Sequence, residues 1–184
     1  QANFLTEPAR LVYMRIKWYG IFPIEALDSY KDAQGQMLVT LLKIIPLTNA
    51  KGKEMNVAEL VTILAETMII PHYALRRYIT WEVIDASSIK GTIHHHGISA
   101  TGIFYFNEHA ECTRFTTQDR YLTKKNNQYQ KTPWTARAND YILKEGIRFP
   151  SKFSATWHTD NGDYEYFKGS IESIGFTPVK SLHL

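Results

Sequence analysis

Along residues 11–19, LVYMRIKWY, the apolar residues Val12, Met14, Ile16 and Trp18 alternate with Tyr13, Arg15 and Lys17. A period of two predicts a strand with one buried face. EALDSYKD, residues 25–32, is a more polar strand leading to a turn around Gly35. QMLVTLLKIIP, residues 36–46, is apolar on both parities, as in a strand covered on both faces.

The period then changes. Val57, Leu60, Val61, Leu64 and Met68 recur at helical spacing, and Ile63, Ile69 and Ile70 widen the stripe. Asn56 is the expected N-cap, with Glu59 three residues on as in a capping box and Met55 and Leu60 as a staple. Pro71 is the expected stop. A short helical turn is expected at Tyr73 to Tyr78. So wide a stripe predicts a helix set deep against a sheet.

Strands follow at 80–85, 88–96, 98–106 and 111–117. KKNNQYQ reads as a solvated loop, and TPWTARANDYILKEG as irregular chain punctuated by Pro133 and Gly146. FSATWHT, residues 153–159, alternates cleanly into DNGD, where Asn-Gly suits a type I′ turn. YEYFKGSIESIGF closes the chain. Neither a repeat nor a linker divides the sequence, which reads as a single domain, 1–184. The expected class is α+β: a mainly antiparallel, strongly curved sheet, a half-barrel or incomplete barrel, with one main helix packed in its concave face. Such a trough holds an apolar ligand when side chains do not fill it.

Composition narrows the function. A net charge of +3 is no nucleic-acid signature. The longest apolar runs fall short of the roughly 20 residues of a membrane span. Cys112 is the only cysteine, so no internal disulfide forms; its neighbour Glu111 disfavours a reactive thiolate. Neither a nucleophile elbow nor a phosphate-binding glycine loop is present, and no cofactor is expected. The basic stretch from Lys124 to Lys131 reads as a flexible polar surface.

Three consecutive histidines, His94, His95 and His96, interrupt one strand. On a strand His94 and His96 share a face, a pair that zinc uses, but a third ligand is not set by spacing. Of Trp18, Trp81, Trp134 and Trp157, core packing explains most. Trp134, after Pro133, is the candidate to cap a pocket mouth.

The motifs LAETMIIPHYAL, WEVID, QDRY, TPWTARANDY and EGIRFPSKFSATWHTDNGDYEYF resemble an uncharacterised bacterial family, a domain of unknown function (number 6544 type). Matching positions are Glu66, Pro71, Ala74, Leu75, Trp81, Asp85, Arg120, Pro133, Trp134, Tyr141, Gly146, Pro150 and Trp157, from about residue 35 onward. The histidine triplet is not part of that pattern. The resemblance implies residues before Gln1, and its look is similar to lipoprotein-carrier half-barrels that enclose an acyl chain. Trp81, Trp134, Tyr141 and Trp157 are the expected ligand contacts. Glu66, Asp85 and Arg120 are expected as an ionic group holding helix to sheet.

The sequence reveals no reaction. The leading expectation is a non-enzymatic carrier or sensor of a lipid or other apolar molecule, in or beside the bacterial envelope rather than the cytoplasm. Two alternatives stand beside it: a metal-assisted hydrolase using His94 and His96, and a structural or interaction module with a fully packed interior.

Overall fold

A computed structural model describes residues 7–18, 21–42, 44–124 and 128–172. The alternating stretch at 11–19 forms β1 (Arg10–Trp18), first of a four-stranded antiparallel sheet in chain order with β2 (Phe22–Lys31), β3 (Gln34–Leu41) and β4 (Ile45–Lys51). The β2–β3 turn falls on Asp32 and Ala33, at φ 50° and 59°, and not at Gly35. Two successive positive φ values match the right-handed twist of the flanking strands. Gly35 lies inside β3 for a different reason. A Cβ there would stand 2.6 Å from the Met55 carbonyl oxygen, so the missing side chain lets a helix come close.

That helix is α1 (Lys53–Ala65), which begins earlier and ends earlier than its apolar stripe predicts. Gly52, at φ 109°, is the N-cap because β4 runs almost directly into the helix. Asn56 is one turn inside, and its Oδ1 accepts the Gly35 N–H at 2.8 Å. The predicted cap is therefore engaged in holding helix to sheet. Beyond Ala65 the chain tightens into 3₁₀ turns at Glu66–Met68 and Pro71–Leu75, so Pro71 opens a turn as well as closing the helix. Leu60, Val61, Ile63 and Leu64 are buried, as are Met55, Ala58 and Glu59 on other sides of the same helix. A helix covered so widely needs neighbours on more than one side, and α1 packs on both β3 and the later strand β7 (Ile98–Phe106).

The second sheet has seven antiparallel strands. In spatial order these are β13 (Gly162–Ser170), β12 (Ile147–Thr159), β11 (Trp134–Lys144), β8 (Cys112–Thr117), β7, β6 (Ser88–His95) and β5 (Ile79–Asp85). A small hairpin, β9 (Tyr121–Thr123) with β10 (Tyr129–Lys131), lies between β8 and β11 in the chain, so the predicted loop at 124–130 is partly strand. Residues 125–127 of that loop and 173–176 of the last predicted strand lie outside the described residues. The stretch expected to be irregular is β11, paired from Trp134 to Arg137 with β8 and along its length with β12. Its Ala, Asn and Asp content is poor in strand formers, and neighbours on both sides override that preference. Pro150 is tolerated because β13 pairs with β12 only from Lys152 onward. At the β12–β13 hairpin the positive φ, 108°, falls on Gly162 and not on Asn161.

The class is α+β, mostly antiparallel sheets with one main helix. Neither sheet is closed or strongly curled, so the half-barrel expected from one bent meander is not what covers the helix; two separate sheets flank it. Phe104 and Phe115 pack with tilted rings, centroids 4.7 Å apart, beneath α1, with Ile93 and Leu64 among the fully buried side chains around them. Each such burial stabilises by about 1.5–3 kcal/mol. Among the described residues no helix is long and apolar enough to cross a membrane.

Candidate functional site: a cavity beneath the main helix

Strand parity creates the space. On β11 the residues Trp134, Ala136 and Ala138 share one face, and their cross-strand partners on β12 are Trp157, Ala155 and Phe153. Alanines at the centre leave unfilled the volume that larger side chains would take. The opposite wall brings Val12 and Met14 from β1, Met37 from β3 and Met55 from α1, with Met68 and Ile69 beyond the helix end. The cavity, open to solvent along part of its rim, measures about 620 Å³. Its methionines are unbranched and adaptable in packing.

One end of this cavity is ionic. Arg10, on the β1 parity of Val12 and Met14, meets Asp28 at 2.6 Å, Glu66 at 2.8 Å and Glu59 at 3.1 Å. The Arg10 and Glu59 side chains are 10% and 2% exposed, so water does little to screen the pairs. Burial alone would lower the Arg10 pKa; the three carboxylates outweigh it and push the value up. Burial, then neighbouring Asp28, lifts the Glu59 pKa well above the usual carboxylate range, against the pull of Arg10 and Arg120. Burial likewise raises Glu66, against the pull of Arg10. Asp28 Oδ1 is buried without a hydrogen-bond partner.

A second cation lines the same space. Arg120 donates from Nη1 to the Ala58 carbonyl oxygen at 3.3 Å and to Thr62 Oγ1, both on α1. Its guanidinium lies 4.5 Å from the Trp134 ring centre and 5.6 Å from that of Trp157. Trp134 Nε1–H is satisfied by the Tyr166 hydroxyl at 3.2 Å.

Residues 1–176 match a family of unknown function, DUF6920. The chain belongs to that family. The expected kinship with an uncharacterised domain family therefore holds, whereas number 6544 and a bacterial source are not supported by the match. No curated protein and no solved structure matches this DUF6920 chain.

In this DUF6920 chain two of the four expected ligand contacts, Trp134 and Trp157, line the cavity. Trp81 and Tyr141 do not. Trp81 donates to the Ala74 carbonyl oxygen at 2.8 Å and lies edge-on to Phe104, while Tyr141 donates to the Cys112 carbonyl oxygen at 2.8 Å. The Trp18 side chain lies outside the described residues. Of the expected ionic group, Glu66 and Arg120 border the cavity; Asp85 is exposed at the end of β5, where its Oδ1 accepts the Ser87 N–H. Asp28 holds the position expected of Asp85. Arg10, Asp28 and Glu59 were the residues missed. Each is a charged residue on an apolar parity, which is the trace they leave in the sequence. Cys112 is buried, and burial pushes its pKa up to about 12, so it is no nucleophile at neutral pH.

The histidines depart from strand parity. β6 ends at His95, and His96 and Gly97 form the turn into β7 at φ 47° and 80°. His94 is exposed, 3.5 Å from Thr80 Oγ1, while His95 is buried. Among the described residues the ligating side chains that converge are Glu7, His95 and His96; the expected pair of His94 with His96 is not among them.

Proposed function

We propose that this chain binds an apolar molecule, of the kind represented by a lipid acyl chain, beneath α1, and works as a carrier or sensor without catalysing a reaction. The supporting observation is the cavity itself. At about 620 Å³ it falls within the span of roughly 300–1,000 Å³ usual for small-molecule pockets. It is walled mainly by methionine, alanine and aromatic side chains. The two sheets together take the part that one half-barrel would play, with the helix as the lid between them. The charged groups at its end engage one another, as Arg10 does with Asp28, Glu59 and Glu66, which favours a structural role over chemistry. A cleft of this size between the layers favours the binding reading over a fully packed module.

Solvent extraction of purified protein, followed by mass spectrometry, should recover a co-purified lipid or similar apolar compound. Ala136→Phe should lower the recovered amount, because it fills the cavity floor. Repeatedly clean extracts, together with no change in Trp134 and Trp157 fluorescence on adding a long-chain fatty acid, would overturn the proposal.

A further inference from the structure

We propose that Glu7, His95 and His96 form a site for a divalent transition metal of the zinc class, which fastens the first sheet to the second. The site depends on the backbone. Because His96 sits in the turn at φ 47°, its ring folds back beside that of His95, with centroids 4.5 Å apart. Glu7, just ahead of β1, lies over both: its carboxylate oxygens are 3.6 Å from His95 Nε2 and 3.9 Å from His96 Nε2. One ligand atom from each of the three lies within 4.8 Å of the others. Zinc bonds to nitrogen and oxygen of about 2.0–2.2 Å in tetrahedral geometry hold ligand atoms roughly 3.3–3.6 Å apart, so a small closure completes the set.

His95 supplies the independent observation. Its side chain is 6% exposed, and Nε2, which faces Glu7, is buried without a hydrogen-bond partner. Its other nitrogen is already engaged: Nδ1 lies 2.9 Å from the hydroxyl of Tyr30, a fully buried residue of β2. A metal on Nε2 requires the proton on Nδ1, which then donates to the Tyr30 oxygen. Such a contact behind an imidazole orients it for coordination. Two imidazoles and one carboxylate favour zinc-like ions over calcium or magnesium, and three protein ligands leave a fourth position for water. Glu7 and Tyr30 belong to the first sheet's part of the chain and the histidines to the second, so the ion joins the two.

The chelator-treated 184-residue chain should bind one equivalent of zinc in equilibrium dialysis. Cobalt(II) should give the visible absorption of a four-coordinate site, and zinc should raise the Tm in a way that chelator reverses. Glu7→Gln and His96→Ala alter exposed side chains and should abolish the cobalt spectrum while leaving the fold intact. Tyr30→Phe should weaken binding about 10–100-fold. His94→Ala should leave binding unchanged. Absence of stoichiometric binding, retained binding in Glu7→Gln and His96→Ala, or equal loss in His94→Ala would each overturn the site, the last by showing only loose attraction to a histidine run.

Discussion

Glu59 is a carboxylic acid in the middle of a buried helix face, and its position has a consequence that pH can read. Burial and Asp28 raise its pKa above the ordinary 4.5. The folded chain therefore holds this proton more tightly than the unfolded chain does. Stability from this group is complete below pH 4.5 and is lost as pH rises toward the folded pKa. Glu59→Gln keeps the shape and cannot ionise, so its stability relative to the native chain should grow across that window. Urea unfolding at a series of pH values measures this, and parallel curves would mean that folding does not raise the Glu59 pKa. Arg10→Ala should be far more damaging, by about 3–5 kcal/mol, because it leaves buried carboxylates without their cation. Arg120→Ala should cost about 1–3 kcal/mol through the lost helix contacts and the stacked Trp134. An unchanged melting curve in Arg120→Ala would remove its role in holding α1.

Among the elements, β3 and α1 show where local pattern yields to tertiary contact. Alternation at 153–159 and the apolar stripe of the helix were legible because each reports which face is buried. At 11–19 alternation marked the strand but not a buried face, since Val12 and Met14 are half-buried and Ile16 is exposed. The helix start was not. Asn56 and Glu59 have the spacing of a capping box, but one binds Gly35 and the other Arg10, partners 21 and 49 residues away in sequence. β11 was hidden by its weak strand formers, and its alanines make sense only once the cavity above them is known. The same limit applies to the site: Trp134 and Trp157 stood out by residue type, whereas the choice of Asp28 over Asp85 depends on which strand faces the helix. The close approach at β3 gives a further test. Gly35→Ala places a methyl group 2.6 Å from a backbone oxygen of α1, so the helix must shift. The expected cost is about 1–3 kcal/mol in chemical denaturation, as for an overpacked core.

At the scale of the molecule, the separation of the two sheets matters most. Among the described residues no ladder of main-chain hydrogen bonds runs from β1–β4 to the seven-stranded sheet. An opening between the layers, jaw-like, would leave every strand beside its own neighbours and break side-chain contacts such as that of Tyr30 with His95. A metal on Glu7, His95 and His96 would hold it shut. For the apolar ligand proposed above, such an opening would be a route in and out that leaves both ladders whole. Hydrogen exchange should find the amides of β1–β4 less protected than those of β6–β8, with the gap narrowing once the interior is loaded.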